Sequence, residues 1–218
     1  GGMLHGTAVL KYPVEPWAHS GRFVGGDSYF ASVAATRVMS NIGFGFIGVI
    51  KTATREYPMA YLQALELSNR GDYKGLVTLG ENGQAIMMAF VWMDRKCRYF
   101  ISNASSLAAG SPYTRSRWRQ IAPVESNEPP VRMELTIPQP MAAELFYFVA
   151  GKIDRHNRSR QDNLQLERKL GTHDWSQRVN FSILGMHAVD SWCGWKGLGL
   201  CEEGETKNVF YEYTWHKN

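Results

Sequence analysis

The 218-residue sequence lacks the features that define secreted, membrane-spanning and thiolate-zinc proteins. Its three cysteines, Cys97, Cys193 and Cys201, are an odd number without CxxC spacing. This pattern argues against a disulfide framework or a zinc site and indicates reduced thiols. No apolar run approaches the roughly 18 residues of a membrane-spanning helix, and no basic-then-apolar leader opens the chain. We therefore expect an intracellular protein without a membrane partner.

Signatures of nucleotide-binding and hydrolase sites are also lacking. The stretch Gly43-Phe-Gly-Phe-Ile-Gly48 matches GxGxxG only by coincidence, because it lies inside a predicted strand. No nucleophile elbow is present, and the six histidines are dispersed without the spacing of zinc ligands. We expect no small-molecule cofactor.

The composition is that of a folded, mildly basic protein. Hydrophobic residues make up 44% of the chain, enough to bury a substantial core, and seven Trp, ten Tyr and ten Phe argue against disorder. Lys and Arg number 24 against 20 Asp and Glu, which permits a polyanionic partner without requiring one.

The pattern of residues 5–51 predicts one α/β half-unit, in the order strand, connection, strand, helix, strand. Residues 7–12 and 22–24 are strand-like, and apolar positions between residues 28 and 42 recur at helical spacing. Residues 44–50 are almost wholly apolar, as expected for a central strand that is covered on both faces.

The next stretch, residues 52–139, predicts an antiparallel β-rich insertion domain. A tight turn at residues 94–97 joins two of its strands, and residues 110–120 are predicted to form a polar loop. The strand candidates are residues 74–79, 85–93, 98–102 and 131–137.

Helical patterns return after the insertion. Pro140 suits the first turn of a helix that continues to about residue 170, and a last helix covers residues 174–192. We assign residues 140–195 to C-terminal helices and residues 196–218 to a tail with a strand at 208–215.

Two acids are the candidates for catalysis. Asp27 follows a predicted strand and precedes a helix, at the sheet edge where α/β proteins bind ligands, although an Asp there also caps helices. Asp154 lies within a helix, and Arg158, four residues on, is a possible ion-pair partner. Two carboxylates at one sheet edge are also suitable ligands for Mg²⁺, which prefers oxygen.

Basic residues in two places are candidates for nucleic-acid binding. For the basic residues that follow Asp154, the structural alternative is a solvated helix face. For those around Trp118, it is a loop whose Trp packs back onto the β-rich region. The candidates are Arg115, Arg117, Trp118, Arg119, Arg155, Arg158, Arg160 and Lys169.

The order of these elements resembles piggyBac-type transposases. Asp27-Ser-Tyr-Phe-Ala-Ser-Val, a helix and the strand 43–51 resemble the segment that contains the family's second catalytic Asp. Gly151-Lys-Ile-Asp154 stands where the family has Gly-Gly-Val-Asp, its third catalytic Asp. An insertion of similar length separates the two acids in the family.

This resemblance implies an incomplete RNase H-like core interrupted by an insertion. It also implies ancestral DNA cleavage and strand transfer that depend on Mg²⁺ or Mn²⁺, with DNA as partner, a possible homodimer and a nuclear location. The family's first catalytic Asp belongs to an earlier strand, and its Cys-rich zinc domain has no counterpart here. We therefore expect the fragment to be inactive by itself, or to be a domesticated, non-catalytic DNA- or protein-binding module.

Overall fold

The computed structural model describes residues 3–52, 54–119, 129–169 and 171–200. The chain divides into two compact units, residues 1–149 and 150–218. The predicted strand at 208–215 lies outside the described residues.

The first unit is organised around a mixed sheet of five strands in the order β1-β2-β5-β4-β3. β1 and β2 are parallel, whereas β2, β5, β4 and β3 pair with their neighbours antiparallel. The strands are β1 (Phe23–Gly26), β2 (Gly45–Ile50), β3 (Tyr73–Leu79), β4 (Ala85–Met93) and β5 (Cys97–Ser102).

A helix connects the two parallel strands, as the sequence predicts. Helix α2 (Val33–Asn41) begins after Ser32, whose hydroxyl accepts a hydrogen bond from the Ala35 N–H. Its buried Met39 packs into the core beside Phe46 of β2. Phe46 and Ile50 of β2 are buried in one core cluster and Ile47 in another, so both faces of the strand are covered, and its sequence is accordingly apolar.

The strand predicted at residues 7–12 is wrong, because this segment lies in helix α1 (His5–Val14). Thr7, Leu10 and Val14 recur at helical spacing; Thr7 is buried, while Leu10 and Val14 pack against the core. Pro13 lies inside this helix, one residue before its end, and has no N–H to donate to the carbonyl four residues earlier.

The β-rich stretch forms two separate sheets. Strands β3 to β5 continue the five-stranded sheet, whereas β6 (Tyr113–Arg119) and β7 (Val131–Ile137) pair antiparallel as a two-stranded ribbon. Residues 113–119 are therefore a strand, and the polar loop predicted there is wrong. The half-buried face of this strand carries Arg115 and Arg117 while Trp118 is exposed, so the apolar–polar alternation typical of a strand is weak. The predicted domain boundaries stay predictions.

Helices cover both faces of the main sheet. On one face, α1, α2 and α3 (Met59–Ala64) contribute to a cluster with Phe46, Val91 and Ile101. On the other face, Ala142 and Ala143, from the start of α4 (Met141–Arg158), pack against Trp92, Phe90 and Phe100. This two-sided burial produces the α/β class that the sequence predicts, with helices on both sides of the sheet.

The described residues of the second unit are mainly helical. The predicted helix after Pro140 is interrupted: α4 (Met141–Arg158) passes into a π-helix (Ser159–Leu164), and a short α5 (Leu166–Lys169) follows. α6 (Trp175–Gly197) begins at Asp174, whose carboxylate accepts the Ser176 N–H. No helix among the described residues is long and apolar enough to cross a membrane.

Candidate catalytic and nucleic-acid-binding residues

Asp27 lies directly after β1, at the end of a parallel strand. Its Oδ1 accepts the Tyr29 N–H at 2.8 Å, and its carbonyl oxygen accepts the N–H groups of Phe30 and Ala31 at 3.2 and 2.9 Å. These bonds form a turn before α2, and Ser32 caps the helix, so the helix-capping alternative for Asp27 is wrong. The side chain is exposed, and its Oδ2 accepts no hydrogen bond from the described residues.

Asp154 lies on α4 with an exposed side chain. The ion pair with Arg158 is not formed, and no described residue bonds to the Asp154 carboxylate. The neighbouring Arg155 instead donates from Nε to the Gly151 carbonyl at 3.2 Å. The described residues therefore leave the exposed Asp154 carboxylate on a solvated helix face without the expected ion pair.

These carboxylates have the donor chemistry that Mg²⁺ prefers, because each presents exposed oxygen atoms that the described residues do not use. Within the described residues, no three His, Cys, Asp or Glu side chains form a group that could hold a metal. Asp27 belongs to the first unit and Asp154 to the second, so their pairing stays a prediction.

Arg115 has a structural partner that the sequence did not indicate. Its Nη2 lies 3.3 Å from Oδ2 of Asp94, whose side chain is only 1% exposed. The Tyr113 hydroxyl, which accepts a hydrogen bond from Arg115, raises the pKa of the guanidinium, and Asp94 adds to this increase. Sequence analysis missed Asp94 because an Asp in a hairpin turn is usually exposed.

Trp118 projects from the ribbon into solvent. Its side chain is 71% exposed, so the alternative in which this Trp packs back onto the β-rich region is wrong. Side chains alternate along a strand, which places Trp118 on the face opposite Arg117 and Arg119. Arg132 lies directly across from Trp118 on β7, a neighbour that only the strand register reveals.

The remaining arginines of the ribbon differ in exposure. Arg119 is exposed at the end of β6, whereas Arg117 is partly buried. Arg132 donates from Nη2 to the Ser116 hydroxyl at 2.8 Å and lies 3.6 Å from Glu134. The ribbon therefore carries cationic groups on both faces, with an exposed indole on one of them.

The basic residues of the second unit are mostly accessible. Arg155, Arg158 and Lys169 are exposed, whereas Arg160 is partly buried and donates from Nη1 to the Ser182 hydroxyl of α6. His156 Nε2 lies 3.0 Å from Asp190 of α6, so this histidine contributes to packing between helices. The exposed cations are available to a polyanion.

Comparison with solved structures identifies a related fold. The chain is similar to the piggyBac transposase in the cryo-EM structure of its synaptic complex with hairpin DNA, with a TM-score of 0.61 and 12% sequence identity. The match covers 98% of this chain and 39% of the transposase chain, so this chain spans well under half the length of that protein. At this identity the similarity establishes the fold.

Comparison of sequences establishes the family. No curated protein sequence matches the chain significantly. Residues 3–192, however, match the family model described as Transposase IS4. Because this match includes most of the 218 residues, the protein belongs to the Transposase IS4 family.

Proposed function

We propose that this chain is a part of a piggyBac-type transposase catalytic domain that carries two catalytic carboxylates, Asp27 and Asp154. The observation that carries the proposal is the position of Asp27. It follows a parallel strand with one oxygen unbonded, in a fold that matches a transposase over 98% of the chain. Open α/β sheets bind ligands at this edge because the strand ends and helix N-termini converge there.

Asp27 and Asp154 would hold Mg²⁺ or Mn²⁺ through their exposed oxygens. The metal, when bound, supplies charge stabilisation at the attacking and leaving oxygens of DNA cleavage and strand transfer. The Asp27 turn would orient the carboxylate for metal binding. The Tyr29 N–H donates to Oδ1 and so fixes the carboxylate, while Oδ2 points away from that bond. Orientation of this kind matters because small displacements of reacting groups reduce rates strongly.

The 218-residue polypeptide by itself is expected to cleave DNA weakly or not at all. The family uses three aspartates, and two carboxylates offer a metal fewer ligands and position the scissile phosphate less firmly. This expectation is separate from the assignment of Asp27 and Asp154, and it is tested separately below.

DNA is the partner that suits the accessible cations. Arg155, Arg158 and Lys169 on the second unit would neutralise backbone phosphates, while Trp118 would stack on a base. Arg119 would add a phosphate contact on the ribbon. Arg115, which pairs with Asp94, would act only by positioning the ribbon. A nuclear location and a homodimer are further parts of this proposal.

A second candidate is a domesticated DNA- or protein-binding module without catalysis. The observation that favours it is that Trp118 and Arg119 are exposed on β6, a different strand from the one that Asp27 follows. Their contacts with a partner would therefore survive the loss of the Asp27 carboxylate.

Plasmid nicking with Mg²⁺ or Mn²⁺ tests the first candidate. This chain is compared with a version extended upstream in its reading frame, and each carries Asp27→Ala, Asp154→Ala or, as a control, Glu81→Ala in an exposed turn. Nicking by the extended form that both Asp variants abolish and the Glu81 variant retains supports the proposal. An extended form that nicks equally well without Asp154 excludes it and leaves the binding module.

A further inference from the structure

Tyr29 belongs to the same turn as the candidate catalytic carboxylate of Asp27. Its N–H donates to Oδ1 of Asp27 at 2.8 Å, directly after β1. Tyr29 is 64% exposed, and Asp27 is exposed as well. Because Cα atoms two residues apart are separated by at most about 7 Å, the turn presents an aromatic residue and a carboxylate to solvent as near neighbours.

Two neighbours restrict the orientation of the Tyr29 ring. It contacts Phe30 edge-to-face, with centroids 5.0 Å apart and an interplanar angle of 89°. It also lies against α1, where a Cβ added to Gly6 would be 3.6 Å from Cε1 of the ring and 3.1 Å from the Tyr29 carbonyl oxygen. A ring that is already oriented loses less conformational entropy when it binds a ligand.

The rest of the side chain is not committed to a structural role. None of the described residues forms a hydrogen bond with the Tyr29 hydroxyl. An exposed tyrosine is ordinary by itself. Tyr61 on α3 is similarly exposed, at 55%, but its ring makes no aromatic contact with the described residues. Tyr29 differs because its exposed ring is held in orientation next to a candidate catalytic acid.

An exposed ring held in this way is suited to stacking on a nucleobase. Stacking of this kind tolerates every base, because each base has a flat π-face. A base inside a duplex is already stacked on its neighbours, so a side chain reaches only a base that has left the stack.

We propose that Tyr29 contacts the substrate directly and stacks on an unpaired base of the DNA strand, next to the phosphate that is cleaved at Asp27. The proposal rests on the catalytic role proposed above for Asp27. It adds a preference for unpaired DNA at this position, without a preference for one base over another.

DNA binding without metal tests the stacking contact. The 218-residue chain is titrated in EDTA, by fluorescence anisotropy, against a labelled single strand of mixed sequence and against the blunt duplex of the same sequence. Tyr29→Ala should weaken single-strand binding by about 5- to 150-fold and leave duplex binding nearly unchanged. Tyr29→Phe should bind as tightly as the wild type, because the ring remains. Tyr61→Ala is the matched control and should leave both affinities unchanged.

A ring that only packs the turn predicts a different pattern. Tyr29→Leu keeps an apolar side chain against Gly6 and Phe30 but has no flat ring, so it should lose as much single-strand affinity as Tyr29→Ala. Wild-type affinity in either variant overturns the proposal. So does an equal loss on the single strand and the duplex, or a wild-type chain that does not bind the single strand. A loss in Tyr29→Phe as large as in Tyr29→Ala assigns the contact to the hydroxyl and also overturns stacking.

Nicking by the upstream-extended form locates the contact. With Mg²⁺, Tyr29→Ala should raise KM by the factor seen in binding and leave kcat close to the wild-type value, because stacking is present both before and during the reaction. An unchanged KM in Tyr29→Ala, together with loss of nicking in Asp27→Ala, means that this proposal fails alone. Full nicking by Asp27→Ala and Asp154→Ala means that the catalytic proposal fails. The place of Tyr29 beside the cleaved phosphate is then wrong, whereas the titration in EDTA decides the stacking contact by itself.

Discussion

The guanidinium of Arg115 on the ribbon lies 3.3 Å from the carboxylate of Asp94 at the end of the main sheet, and this carboxylate is 1% exposed. Aromatic rings surround the pair: Tyr113 stacks on Tyr147, with centroids 5.4 Å apart, and both rings contact Trp92 edge-on. This ion pair therefore connects the ribbon to the main sheet. Arg115 is the cation that balances the buried negative charge of Asp94.

Arg115→Gln is expected to destabilise the protein by about 3 kcal/mol, the lower end of the range for breaking a buried pair. The lower end applies because the Arg115 side chain is itself 26% exposed. Urea unfolding measures the change. Asp94→Asn combined with Arg115→Gln should recover part of the loss, because no unpaired charge then remains buried. An unchanged midpoint for Arg115→Gln would contradict this role.

Trp118→Ala is expected to weaken binding to single-stranded DNA by about 1–3 kcal/mol, or about 5- to 150-fold, if the indole stacks on one base. Fluorescence anisotropy with a labelled oligonucleotide measures the affinity. Trp175→Ala is the matched control, because Trp175 on α6 is 76% exposed and Trp118 is 71% exposed. Equal losses for both variants would indicate non-specific contact.

Gly48→Ala is expected to cost about 1–3 kcal/mol through overpacking. A Cβ at this position would lie 2.6 Å from the Ala31 Cβ and 3.1 Å from the Gly26 carbonyl oxygen, between β2 and the turn after Asp27. Gly151→Ala is the opposite case: a Cβ added here in α4 would have no described atom within 4 Å apart from the neighbouring helix backbone, so helix propensity predicts a gain of up to about 1 kcal/mol. Urea midpoints that shift in the same direction for both would refute this account.

Stability is expected to fall at alkaline pH partly through Tyr57. Burial, and then the nearby Tyr99, raise the pKa of its hydroxyl above the ordinary value of 10.0. The hydroxyl donates a hydrogen bond to the Phe100 carbonyl at 3.0 Å. The folded state therefore holds this proton more tightly than the unfolded chain. This contribution is complete below pH of about 10 and is lost as the pH rises through the folded pKa.

Tyr57→Phe isolates this effect. At pH 8 the variant should be less stable by about 1 kcal/mol, because the hydrogen bond to Phe100 is lost. Between pH 9 and 11 the stability of the wild type should decline more steeply, so the two curves of urea midpoint against pH converge. Parallel curves would assign the alkaline decline to other groups.

Local patterns predicted the elements whose burial repeats at a regular spacing. The apolar run of β2 and the helical spacing of α2 predicted the parallel unit, and the strand candidates in residues 74–102 are all strands of the main sheet. The pattern failed at α1, where a short apolar stretch fits both periods. It also failed at β6, whose half-buried face carries Arg115 and Arg117 where apolar residues would be expected.

Among the candidate site residues, too, the sequence predicts what depends on local spacing and misses what depends on distant contacts. That Asp27 follows a strand is a local fact, and the sequence predicts it. Whether an arginine is free depends on neighbours distant in the chain: Arg115 pairs with a residue 21 positions earlier, and Arg160 bonds to Ser182, 22 positions later.

The sequence by itself determined the α/β alternation, the acid after β1 and the family resemblance, because each depends on residues that are adjacent or regularly spaced. Only the tertiary structure decided which cations are committed to packing and which face solvent. The physical reason is that burial and charge pairing are set by contacts between distant segments, which local spacing does not encode.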